Sequence, residues 1–124
     1  MQQKKATIAV VDDDERLLKS LESLMISFGY DVRAHISGES LLDSGDVHVI
    51  DCLVSDVGMP GISGIQLLEK VRVQRPDLPV ILITGRQEKH LSQLAARHGA
   101  RYFEKPLDST RLVEAVRSAL GATP

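Results

Sequence analysis

Aromatic side chains are scarce in this chain: there is no tryptophan, and Tyr and Phe together make up 3% of 124 residues. The core must therefore be aliphatic, built from Val, Ile, Leu and Ala. A single cysteine, Cys52, excludes an internal disulfide. It sits in the apolar run Cys52-Leu53-Val54 and reads as a small buried hydrophobe of a reduced compartment. No apolar stretch approaches the length of a bilayer span, and Met1 to Lys5 lead into a strand-like run without a secretory segment, so a cytoplasmic location is expected. A net charge of −2 argues against non-specific electrostatic binding to DNA or acidic membranes. No glycine-rich phosphate loop follows the first apolar run, which removes support for nucleotide binding.

What is present is ordinary for a folded globular chain: 43% hydrophobic and 26% charged residues. The length suits one domain, expected over residues 1–121, with 122–124 as the start of a linker or tail. Two periodicities alternate along it. Thr7 to Val11, Asp31 to Ile36, Cys52 to Val57, Val80 to Thr84 and Arg101 to Glu104 read as strands. Between them, helical spacing appears at Glu15 to Phe28 (Leu17, Leu18, Leu21, Leu24, Met25, Phe28), closed by Gly29. Further helices are expected over Ser37 to Asp43, Ser63 to Gln74, Gln87 to His98 and Asp108 to Leu120, the last capped by Asp108 or Ser109. Strand–helix alternation at this spacing implies crossover connections. The result is an α/β fold with a five-stranded, doubly wound parallel sheet covered on both faces.

Such a sheet binds its ligand beyond the carboxyl ends of its strands. The polar residues there are Asp12, Asp13 and Asp14 after the first strand, Asp56 ending the third, Thr84-Gly85 after the fourth and Lys105-Pro106 after the fifth. Carboxylates gathered on one edge repel one another and call for a cation. Hard oxygen ligands with room for water suit Mg²⁺. With the Thr84 hydroxyl and the Lys105 ammonium, the set suits a phosphoryl group, and an aspartate can itself be the nucleophile. Singly, each residue has a plainer reading. Asp14 with Glu15 suits helix capping, Asp56 could open a turn before Pro60-Gly61, Thr84 could be a strand-end threonine and Lys105 a solvated lysine. Those readings leave the convergence on one edge unexplained.

Val10-Val11-Asp12-Asp13, Leu53 through Asp56-Val57-Gly58-Met59-Pro60 to Gly64, Ile81 to Gly85, and Tyr102-Phe103-Glu104-Lys105-Pro106-Leu107 together resemble the receiver domains of two-component response regulators. Those domains have the doubly wound CheY-like fold, and the pattern is most similar to the FixJ- and NarL-like branch. The resemblance covers essentially the whole chain and implies strand order 2-1-3-4-5. It implies Asp56 as phosphoacceptor, Asp13 as a direct Mg²⁺ ligand, Asp12 binding mostly through water, and the Gly58 carbonyl as a further ligand. Thr84 and Lys105 would contact the phosphoryl oxygens, Tyr102 would be the switch aromatic, and Lys105–Pro106 a cis peptide. Gly58 and Arg86 occupy positions that in the family tune access of the hydrolytic water. The donor would be a phosphohistidine on a histidine kinase or histidine phosphotransfer protein, while His35, His48, His90 and His98 fall outside the site. The module would switch the surface of the fourth helix, fifth strand and fifth helix, with a homodimer as one outcome, and without direct nucleic-acid or membrane binding.

Two other readings compete. A haloacid-dehalogenase-like phosphatase would use Asp12 as nucleophile and Asp14 as acid/base, with Thr84 and Lys105 as its later motifs. It leaves Asp56-x-x-Met-Pro unexplained and the chain has no room for a substrate cap. A degenerate receiver that binds partners without phosphorylation is opposed by the presence of Asp12, Asp13, Asp56, Thr84 and Lys105 together.

Overall fold

The computed structural model describes residues 5–85, 89–106 and 108–121. The elements are β1 (Thr7–Val11), α1 (Glu15–Ser27), β2 (Asp31–His35), α2 (Gly38–Ser44), a 3-10 turn (Asp46–His48), β3 (Cys52–Asp56), α3 (Gly64–Gln74), β4 (Val80–Thr84), α4 (Lys89–Arg97), β5 (Arg101–Glu104) and α5 (Ser109–Ala119). The strands pair in parallel in the order β2-β1-β3-β4-β5, the doubly wound arrangement expected. Residues 87–88, expected to open the fourth helix, lie outside the described residues, as do Arg86, Leu107 and 122–124.

Side-chain caps set the helix starts. Asp14 accepts from the Arg16 and Leu17 N–H groups, Ser37 from Ser40 N–H and Asp108 from Thr110 N–H. Ser63 and Gln66 form a reciprocal capping box, so α3 begins at Gly64 and not at Ser63. Phe28, expected on the buried face of α1, is its C-cap and 51% exposed, because the helix ends at Ser27 and Gly29 turns the chain at φ +92°. The 3-10 turn has no counterpart in the sequence reading.

Period-two alternation divides the core into two layers. Ile8, Val10, Cys52, Val54, Ile81 and Ile83 pack with Leu18, Leu21 and Met25 of α1 and Leu112, Val113 and Val116 of α5. Ala9, Val11, Leu53 and Leu82 pack on the other face with Leu67, Leu68 and Val71 of α3 and Ala95 of α4. Strands β1, β3 and β4 are buried throughout, whereas edge strand β2 is half-exposed. Cys52 is fully buried, and that burial pushes its thiol up to about 12. No helix among the described residues is long and apolar enough to cross a membrane.

Candidate functional site

The parallel ladder runs past the strand ends and so aligns the polar residues found there. Asp12 N–H donates to His35 O at 3.1 Å, Val57 N–H to Ile83 O at 2.9 Å and Lys105 N–H to Thr84 O at 2.7 Å. Register pairs Val11 with Ser55, Asp56 with Ile83 and Thr84 with Glu104. Residues as far apart in sequence as Asp12 and Lys105 therefore end at one edge.

Ligand oxygens from Asp12, Asp13 and Asp56 lie within 4.8 Å of one another. Lys105 Nζ stands 3.3 Å from Asp56 Oδ1 and 3.8 Å from Asp12 Oδ2. The Asp12 and Asp56 side chains are only 3% and 8% exposed, while Asp13 is exposed and leaves the cluster open on one side. Burial pushes the Asp12 carboxyl up; the Asp14 N–H, which donates to its Oδ1 at 2.9 Å, and Lys105 oppose this, and the charges of Asp56 and Asp13 add to it. Burial also raises Asp56, against the attraction and hydrogen bond of Lys105, with Asp13 adding repulsion. One ammonium cannot balance three carboxylates, and the all-oxygen donor set fits a hard divalent cation.

An open cleft of about 680 Å³ adjoins the cluster, lined among others by Asp56, Gly58, Ser63, Thr84, Leu91 and Lys105. Thr84, one of its lining residues, is buried, and the Lys105–Pro106 peptide is cis. Tyr102 is half-buried and packs against the α3–α4 layer. Gly58 is exposed, and a Cβ there would meet nothing within 4 Å, so the position can take any side chain. Its expected partner in tuning, Arg86, lies outside the described residues.

Asp14, by contrast, is engaged as the N-cap of α1. Two other residues bear on the site without having been legible as such. Gly64, the first residue of α3, lies so close to β3 that a Cβ would run into the Asp56 carbonyl oxygen and come within 2.8 Å of Val57 Cα. The available signal was a glycine where a helix starts and a better helix former would ordinarily serve. His35 stands outside the carboxylate cluster, yet its carbonyl receives the Asp12 N–H. No local pattern announces this, because it depends on strand pairing.

The response regulator receiver domain family model matches residues 8–117. The transcriptional regulatory protein FixJ of Azorhizobium caulinodans is 39% identical over 115 residues, covering 92% of this chain and 54% of that protein. The chain thus spans about half the length of the FixJ relatives it matches. Among solved structures, FixJ-N superposes with a TM-score of 0.84 at 30% identity, covering 98% of both chains. A chain of the CheX–CheY–BeF3–Mg²⁺ complex from Borrelia burgdorferi superposes with a TM-score of 0.83 at 26% identity, covering 91% of this chain and 87% of that one. With the family model spanning nearly the whole parallel sheet and the acidic cluster at its carboxyl edge, this chain belongs to the response regulator receiver domain family.

Proposed function

We propose that the chain takes a phosphoryl group onto Asp56 from a phosphohistidine of a histidine kinase or histidine phosphotransfer protein. The observation that carries this is the meeting of Asp12, Asp13 and Asp56 within 4.8 Å, with Lys105 Nζ at 3.3 Å from Asp56. Asp12, Asp13, Asp56 and the Gly58 carbonyl would hold Mg²⁺. When bound, the ion neutralises charge on the transferring group. The Asp56 carboxylate forms the new P–O bond as the donor's P–N bond breaks, leaving the imidazole as product. Lys105 and Thr84 receive the phosphoryl oxygens, a task of positioning and charge neutralisation. The structure of a relative in complex with BeF3 and Mg²⁺ supports the same ligand chemistry.

Phosphorylation replaces one carboxylate by a group of about −2 charge, so with Mg²⁺ present the local change of charge is small. The switch then acts through geometry. Thr84 and Tyr102 bias the surface of α4, β5 and α5, where a partner or second copy docks. This is a signalling module that promotes its own phosphorylation and dephosphorylation. The phosphatase reading is disfavoured by Asp14, whose carboxylate caps α1 instead of serving as acid/base.

The test is incubation with Mg²⁺ and a small phosphoramidate donor, followed by intact mass of the parent and Asp56→Ala. A one-phosphoryl gain lost on Asp56→Ala is expected. Turnover that survives Asp56→Ala and dies with Asp12→Ala would instead identify a phosphatase, and no adduct under any condition a degenerate receiver.

A further inference from the structure

Asp12 and Asp13 leave the sheet where β1 ends, and on the β2 side that end is fixed by a backbone bond from Asp12 N–H to His35 O at 3.1 Å. β2 is an edge strand with a half-exposed surface, so its carboxyl end has a strand partner on one side alone. The His35 imidazole supplies the missing support. Its Nδ1 lies 2.7 Å from Ser40 Oγ in α2, and its Nε2 lies 2.8 Å from Asp46 Oδ2 at the start of the 3-10 turn. A carboxylate only accepts, so Nε2 carries a proton toward Asp46, and the Ser40 hydroxyl completes the ring on its other side. The imidazole is 10% exposed, and both its nitrogens are engaged.

Beside Ser40, Glu39 reaches across from α2 to the segment that follows Asp56, accepting from Ile62 N–H at 3.2 Å. The Glu39 carboxylate also fills the space that a Cβ on Gly61 would need, and Ile62 fills the space beside Gly38. α2 is therefore joined to both sides of the acidic cluster. One route runs through His35 to Asp12, and the other through Glu39 to the segment bearing Gly58.

We propose that His35 is a positioning residue for the cation ligands, holding Asp12 in place through the end of β2 by its bonds to Ser40 and Asp46. The proposal rests on the reading of the cluster as a Mg²⁺-dependent phosphoacceptor site. His35→Phe keeps a ring in place but loses both bonds. In metal-free protein, exchange of the Asp12 amide should speed up. Groups that orient metal ligands typically matter by an order of magnitude or more, so the Mg²⁺ dissociation constant by calorimetry should rise about tenfold. Saturating Mg²⁺ should restore the phosphorylation rate.

Ser40→Ala removes one bond, leaves the imidazole, and should shift both readouts in the same direction; it carries the test should His35→Phe not fold. Arg75→Met is the structural control, since Arg75 ties Val47 O and Ile50 O away from the cluster. It should lower stability without changing Mg²⁺ affinity. Parent-like Mg²⁺ affinity and Asp12 exchange in both His35→Phe and Ser40→Ala would overturn the proposal, as would an equal loss of affinity in Arg75→Met. If the parent itself binds no Mg²⁺, the phosphoacceptor reading fails and this proposal with it; if the parent binds and the His35 variant binds equally, only the proposal fails.

Discussion

Gly58 and Gly64 stand in the same segment after Asp56, and their surroundings are opposite. A Cβ at Gly58 points into open space, whereas one at Gly64 meets the backbone of Asp56 and Val57. Backbone cannot yield as a flexible side chain does, so Gly64→Ala must shift either α3 or Asp56 itself. Overpacking of this kind costs about 1–3 kcal/mol, to be read by denaturant unfolding. Adduct formation at Asp56 should slow in the same variant, while a global destabilisation alone would leave the rate unchanged under folding conditions. Gly58→Arg should unfold within about 0.5 kcal/mol of the parent, as exposed substitutions do. Its effect belongs to the phosphoryl group: a long side chain at the mouth of the cleft should change the dephosphorylation rate, measured by loss of the mass increment with time.

At the scale of elements, helix ends need partners for their last carbonyls, and two arginines supply them on the side of the sheet away from the acidic cluster. Arg72 Nε donates to His98 O at 2.6 Å and its Nη1 to Leu78 O at 2.6 Å, joining α3 to the end of α4 and to the approach to β4. Arg72→Met keeps the aliphatic packing and strands those carbonyls. It should cost about 1.5–3 kcal/mol in urea unfolding, the range for bonds to a charged donor. This tie was not legible in the sequence, because Arg72 and His98 meet only through the tertiary fold. β1, β3 and β4 were legible because burial on both faces leaves continuous apolar runs such as Val80-Ile81-Leu82-Ile83. The site residues were legible for a related reason: each ends or follows one of the strands, so placing the strands placed Asp12, Asp56, Thr84 and Lys105. The region from β2 to the 3-10 turn was harder, since its order depends on polar contacts. One such contact is the Asp46 carboxyl, held below the usual carboxylate range by its hydrogen bond to His35, against burial and with help from Arg33. A depressed carboxyl stabilises the fold above its unfolded value and loses that contribution as pH falls through the folded one. Asp46→Asn should therefore cost about 1 kcal/mol at neutral pH. Its difference from the parent should begin to shrink as the pH drops below about 4 and vanish once the pH is below the depressed folded value, as followed by thermal melts.

For the whole molecule, acidification acts in two opposed directions. The Asp46 contact is lost on lowering the pH, but Asp12 and Asp56 are raised, mainly by burial. A raised carboxyl penalises the fold once it ionises. Stability from this source is fully present below the unfolded value near about 4 and is lost as pH rises through the folded value. The receiver thus carries, without metal, an electrostatic load at neutral pH that its own Lys105 only partly offsets. Asp12→Asn removes one of the charges at little change in shape. In a chelator, its melting temperature relative to the parent should increase as the pH is raised from about 4 to 8. Mg²⁺ should act in the opposite sense. At a hundredfold excess over its dissociation constant it should stabilise the parent by about 2.7 kcal/mol, and the variant, with one carboxylate fewer in the cluster, by less. The two series oppose each other: a substitution that helps the metal-free fold should gain less from the metal. Parallel pH profiles for parent and variant in chelator would show that the clustered charges carry no such cost, and the physical reason given for a cation at this edge would then fail.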